Sequence, residues 1–262
     1  MKKIISLAAI LCIGFGALAQ TTKWKIAVHV DPNVSWMKPD SKHMTQGDNV
    51  LRYGFGLTLD KMFATNYAIG TGLNVINTGG NLQYFYKGTK TTSNTDYVAQ
   101  RTRNYALQYV EIPLTLKLRT DEISYITYWV NFGVGLGFNI RARANDEIVY
   151  KQERDATTGE WKPSSDAPYS SDGDDIKDDI SIFRTGLIIA GGIEYRLSEH
   201  ASVVGGITFN NGFNNVLSNQ LVKRNDQGDP EIIRDANNAI NPSEEKLKAI
   251  NNLLALNIGI LF

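Results

Sequence analysis

Thr127-Tyr128-Trp129-Val130-Asn131-Phe132-Gly133-Val134-Gly135-Leu136-Gly137-Phe138-Asn139-Ile140-Arg141 alternates without a break. Tyr128, Val130, Phe132, Val134, Leu136, Phe138 and Ile140 form one set, and every one is apolar. The intervening positions are mostly glycine or polar. Successive side chains of a strand point to opposite faces, so these fifteen or so residues read as a strand with one greasy face and one small or polar face.

Seven further segments repeat the period: residues 24–30, 51–60, 67–75, 110–119, 183–197, 202–210 and 254–262. A soluble sandwich alternates too, so the second face has to decide between the two. It carries Arg52, Asp60, Glu111, Lys117, Arg119, Arg141, Glu194 and Arg196 among glycines. On a solvated exterior those glycines would weaken the strands for no gain. In a narrow membrane barrel they leave room for charged side chains crossing a polar lumen. The connections agree. Short ones follow the second, fourth and sixth strands, whereas residues 31–50, 78–104, 142–180 and 211–251 are long. Strict alternation of short and long connections is the asymmetry of periplasmic turns and extracellular loops, and such long loops are unusual in a compact soluble domain. The expected fold is all-β: one eight-stranded antiparallel transmembrane barrel over residues 20–262. Trp24, Tyr125, Tyr128, Tyr195 and Phe262 fall near strand ends, where aromatic girdles meet the lipid–water boundary.

The chain opens with Lys2 and Lys3, an uncharged stretch from Ile4 to Phe15, and Ala17-Leu18-Ala19. This predicts a cleaved export peptide over residues 1–19. The run is short for a membrane-spanning helix. The single cysteine, Cys12, lies inside it behind Leu11, so no lipid anchor, disulfide or thiolate metal site is expected in the mature chain. Loss of Lys2 and Lys3 lowers 27 basic residues to 25 against 27 acidic ones. Near-neutrality without a basic stripe argues against nucleic acid as a partner.

The segment Gln108-Tyr109-Val110-Glu111-Ile112-Pro113-Leu114-Thr115-Leu116-Lys117 resembles a signature of the PorT-like outer-membrane barrel family of Bacteroidetes-type bacteria. Gly70-Thr71-Gly72-Leu73-Asn74 and Gly133-Val134-Gly135-Leu136-Gly137 resemble its third and fifth strands. The resemblance implies an outer-membrane location and an eight-stranded barrel. Its name-giving member is similar to factors needed for protein export by the type IX system. It assigns no functional residue here.

The candidate site is a lumen charge network of Arg52, Glu111, Lys117, Arg119, Arg141, Glu194 and Arg196. An eight-stranded bore is just wide enough for its own side chains. Two readings stay open, a plug stiffened by ion pairs or a gated, charged channel. Glu111 and Glu194 read as partners of basic groups rather than as an acid/base pair. Ser198-Glu199-His200 is consecutive in a short turn, whereas a catalytic triad converges through space. Residues 172–179 are acidic but lack EF-hand spacing. Asn241-Pro242-Ser243-Glu244 predicts a capped helix running to Ile250. Phe262 ends the last strand on its apolar phase, as a signal for barrel-assembly machinery would. The expected function is a non-enzymatic scaffold or secretion-associated barrel. A small-solute channel is the alternative, and an outer-membrane lipid-modifying enzyme the third. No cofactor or metal is expected. The expected partners are outer-membrane lipid or lipopolysaccharide, the assembly machinery, and a surface or secretion partner on the long loops.

Overall fold

The computed structural model describes residues 24–91, 93–234 and 240–262. The export peptide expected over residues 1–19 lies outside the described residues. The alternating segments form eight long strands: β1 (Trp24–Pro39), β2 (Val50–Ala64), β3 (Tyr67–Lys90), β4 (Thr95–Arg119), β5 (Ile126–Arg154), β6 (Phe183–Arg196), β7 (Ser202–Gly212) and β8 (Ala249–Leu261). Each pairs antiparallel with the next. The ring closes where β8 meets β1, from Ala27 opposite Leu261 to Pro39 opposite Ala249. Closure satisfies every strand edge, which a sheet in hydrocarbon requires.

The apolar phase faces outward. Leu114 is 59% exposed and Leu136 51%, with Phe132, Ile112, Ile258 and Ile207 alike around the ring. In water such a belt would be a large aggregation surface; against lipid it is the normal outer face of a barrel. Trp24, Tyr125, Tyr128 and Tyr195 are exposed at the short-turn end, and Tyr53, Phe138, Phe183 and Phe213 at the other. The protein is therefore a transmembrane barrel of eight strands, as the alternation predicts.

Much of the long connections is strand rather than loop. β3, β4 and β5 run on past the belt as one three-stranded sheet, paired as far as Lys90 opposite Thr95 and Tyr97 opposite Glu153. This extracellular wing begins at a β-bulge. Tyr109 pairs with Asn139 and Gln108 with Arg141, which leaves Ile140 as an extra residue on β5. One extra residue inverts the facing of those that follow, as far as a second bulge at Lys151. Ala142, Ala144, Asp146 and Ile148 are buried above it, whereas Arg141 and Arg143 are exposed. Arg141, expected in the lumen, thus faces outward.

Short strands cover both edges of the wing. Thr45–Gln46 and Gln220–Val222 pair with β3; Trp161–Pro163 and Tyr169–Asp175 pair with β5. Covered edges remove a template for aggregation. Between wing and barrel mouth lies an apolar core that includes Met37, Leu82, Tyr84, Tyr105, Leu107, Val216, Leu221 and Leu247. Burying each such side chain is worth about 1.5–3 kcal/mol. The helix expected from Asn241 to Ile250 does not form. Ile240–Pro242 pairs with Ile232–Arg234, and Glu244–Lys246 with Gln220–Val222. Leu247, Ala249 and Asn251 are buried at alternate positions, so a period of two and its strand partners outweigh the helix-capping signal. Gly79 and Gly80 (φ +152° and +154°) let β3 lean over the mouth. A Cβ on Gly80 would stand 2.5 Å from the backbone nitrogen of Met37, across the opening on β1.

Candidate functional site: the barrel lumen

Two layers of charge cross the lumen. The periplasmic layer centres on Lys117 of β4. Its ammonium donates to Asp60 of β2 at 2.7 Å and lies 3.0 Å from Glu194 of β6. Neither strand is a sheet neighbour of β4, so these contacts span the bore. Arg119 donates to the same Glu194, and Lys25 of β1 lies 4.0 Å from it. The Trp129 ring sits 5.2 Å from the Lys117 ammonium. It fits because Gly206 is bare; a Cβ there would be 2.6 Å from the indole.

The extracellular layer centres on Arg184 of β6, which is 1% exposed. It donates to Glu111 Oε2 of β4 at 3.1 Å, to Asn210 Oδ1 of β7 at 2.8 Å and to the Asn251 carbonyl of β8 at 3.1 Å. Asn210 Nδ2 donates to Glu111 at 3.0 Å. A Cβ on Gly135 would lie 2.6 Å from the Glu111 carboxyl carbon, so that glycine makes room for the acid. Asn251 then ties the layer to the cap, accepting from Thr78 Oγ1 at 2.8 Å. Ions this deeply buried hold together only when paired, and each of these has an opposite charge in contact.

Between the layers lies a cavity of about 130 Å3, with Glu111 and Asn210 on one side and Asp60 and Lys117 on the other. His29 Nδ1 is 2.8 Å from Asp31 and its Nε2 3.1 Å from Thr58 Oγ1. Asn257 donates to Asp31 at 2.7 Å and accepts from Thr208 at 2.6 Å. Hydroxyl, imidazole and carboxylate thus lie in a row, but inside the bore, walled from the bilayer by the strands.

Lys117, Arg119 and Glu194 come together as the sequence suggests, joined by Asp60, whereas Glu111 lies in the other layer with Arg184. Arg52 sits on the inward phase near the outer end of β2, partly buried and without an ion pair among the described residues. Arg196 lies at the periplasmic rim, where it pairs with Glu122 at 2.7 Å and stays half exposed. Arg184, Lys25 and the His29–Asp31 pair were missed. Arg184 alternates correctly but opens its strand, and the first strand reads as ending at Val30 although it continues to Pro39. Ser198, Glu199 and His200 are exposed in the β6–β7 turn and do not converge. Among the described residues no group of three or more His, Cys, Asp or Glu is placed to hold a metal ion. Phe262 closes the seam, its amide donating to Ile26 O at 2.7 Å and its carbonyl accepting from Ile26 N at 3.1 Å.

Residues 18–218 match the family model described as outer membrane protein beta-barrel domain. No curated protein matches the chain. Similar solved structures include the attachment invasion locus protein Ail of Yersinia pestis, at 11% identity and TM-score 0.33 over 92% of this chain and 99% of that one. OprG from Pseudomonas aeruginosa shares 15% identity at TM-score 0.35, covering 92% and 95% of the two chains. The outer membrane protease OmpT from Escherichia coli shares 10% identity at TM-score 0.31, covering 93% and 99%. No residue role is carried over from them.

Proposed function

The chain belongs to the outer membrane protein beta-barrel domain family, and from that premise we propose that it is a closed, non-enzymatic barrel whose folded extracellular cap is its working surface. One observation carries this reading: charged side chains on non-adjacent strands meet at two heights in the bore, Lys117 with Asp60 and Glu194 below, Arg184 with Glu111 above. Opening the lumen would separate several buried ions from their partners at once, each costing several kcal/mol. The cap core over the mouth adds a third obstruction. What the barrel offers is then a rigid platform for the wing, suited to recognising a surface or secretion partner. The segment from Gln108 to Lys117 supports placing it in the PorT-like branch, with a secretion-associated role. Phe262, paired at the closing seam, supports its reading as the signal for barrel assembly.

The channel reading draws on the polar cavity between the layers; the layers themselves oppose it. Lipid-modifying chemistry would need a nucleophile at the bilayer face, whereas Thr58, His29 and Asp31 line the interior cavity. Planar-bilayer recording of the purified protein tests the proposal. A silent bilayer is expected, and discrete conductance steps would overturn it.

A further inference from the structure

On the cap, between the inner face of the wing and residues 169–179, lies an open cleft of about 460 Å3. That is within the range of small-ligand sites, roughly 300–1,000 Å3. Tyr86, Tyr97, Tyr150 and Tyr169 line it. Three are packed into a fixed array: Tyr97 and Tyr150 meet edge-on at 5.0 Å, and the hydroxyls of Tyr86 and Tyr97 are 3.0 Å apart. Tyr169, 54% exposed, presents its ring to solvent.

Two arginines stand among these rings in different conditions. Arg103 is fully engaged, bidentate to Asp146 at 2.7 Å and 2.7 Å with a third bond to Asp179 at 2.7 Å. Arg101 lies flat on Tyr86, 3.7 Å from the ring centroid, with its Nε 3.4 Å from Asp146 Oδ2. The cleft therefore offers aromatic faces beside a planar donor held in position by a ring on its face and a carboxylate at its Nε edge.

Charge narrows the ligand. A cation would meet Arg101 and Arg103; an anion would meet Asp146 and Asp179, with Asp174 and Asp175 also lining the cleft. What fits is neutral, rich in hydroxyls, and flat enough on its C–H faces to stack. We propose that this cleft binds a neutral pyranose unit of a glycan, the sugar ring stacking on Tyr169 and Tyr150 while Arg101 and the cleft carboxylates bond its hydroxyls. The proposal rests on the cap's recognition role and names its ligand class.

Two sources supply such a ring, the O-polysaccharide of the cell's own lipopolysaccharide and glycans met outside it. Saturation-transfer NMR on the full chain in a sugar-free detergent separates them. One arm uses methyl glucoside, galactoside and mannoside, the other O-polysaccharide released from the same cells. Binding is expected in at least one arm, for a monosaccharide with a Kd on the order of 1 mM. Tyr169→Ala and Arg101→Ala should each weaken it roughly tenfold, and Arg101→Lys should not restore it, because the planar fork is lost. Heat-modifiable gel mobility checks folding, and Tyr169→Ala, an exposed change, carries the test if an Arg101 variant misfolds. Silence in both arms, binding unchanged in Tyr169→Ala, or sugar-independent capture of a protein by this cleft overturns the proposal. None of these results bears on the bilayer recording, so the closed barrel can stand while the glycan site falls, and the reverse.

Discussion

Arg184→Leu is the sharpest test of how the lumen is held. The guanidinium is almost wholly buried and donates to Glu111, Asn210 and the Asn251 carbonyl. Its loss leaves the Glu111 carboxylate, itself 1% exposed, with Asn210 as its only remaining hydrogen-bond donor among the described residues. Breaking a buried pair from one side destabilises by about 3–5 kcal/mol, because the remaining charge is uncompensated. Glu111→Met alone strands the arginine in the same way and should lose a similar amount. The double variant removes both charges and should sit within about 1–2 kcal/mol of wild type. The cycle then gives a coupling of about 4 kcal/mol or more. Equilibrium urea unfolding in phospholipid vesicles measures all four proteins, followed by tryptophan fluorescence and gel mobility. A single-variant loss below about 1 kcal/mol, the worth of an ordinary hydrogen bond, would refute the reasoning. So would a coupling near zero. Arg184→Leu should still be silent in a bilayer, since the Lys117 layer is untouched.

Arg141→Ala, facing outward, should change stability by no more than about 0.5 kcal/mol, whereas Lys117→Ala should cost about 3 kcal/mol or more by stranding Asp60, Glu194 keeping Arg119; the same unfolding assay compares them. Gly206→Val should destabilise by about 1–3 kcal/mol by colliding with the Trp129 indole, seen also as a shifted tryptophan emission. Gly80→Ala should loosen the cap, detected as faster proteolysis of the wing with the barrel intact. At the wing's outer end, Lys90 bonds Glu153 at 2.8 Å and pairs with Asp166. The hydrogen bond from Lys90 holds Glu153 below the usual carboxylate range. Backbone bonds from Thr158 and Thr157 hold Asp155 down at about 2. A lowered folded-state pKa gives stability that is present above the ordinary carboxylate range and lost as pH falls through the folded value. Protection factors for hydrogen exchange at residues 151–160, each rate taken against the intrinsic rate at that pH, should therefore be high near neutrality and fall in acid, with the Asp155 turn the last to release, near pH 2.

The membrane half of the molecule was readable because lipid enforces a single rule on every strand. One face must be apolar, so Phe132, Val134 and Leu136 announce both the strand and its orientation. Glu111, Lys117 and Glu194 were readable for the same reason, being charges on the phase that cannot face hydrocarbon. Above the belt that rule lapses, since both faces of the wing meet water or protein. Tyr84, Arg103, Tyr105 and Asp146 are buried there among polar neighbours, and local pattern does not separate such a sheet from a loop. Arg141 was misplaced because nothing local marks Ile140 as an unpaired residue; only the register of β4 against β5 reveals it. The helix expected after Asn241 failed because good capping residues were outweighed by long-range pairing with Gln220–Val222.

The supernumerary residue at position 140 works like a coupling between two machines. Deleting it alone would join Asn139 to Arg141, which already stand opposite Tyr109 and Gln108, and keep the facing of the wing. Deleting Arg141 as well would set Ala142 opposite Gln108 and invert the pleat beyond it. Ala142, Asp146 and Ile148 would then swing toward water, and Arg143 into the apolar interior of the cap. The pairings on the barrel side of Tyr109 would be unaffected. The double deletion should therefore yield a chain that still inserts and closes in the membrane yet wears no ordered headpiece, whereas loss of Ile140 alone should keep it. Assembly in the bilayer and shape on the cell surface can thus vary independently, separated at one peptide unit.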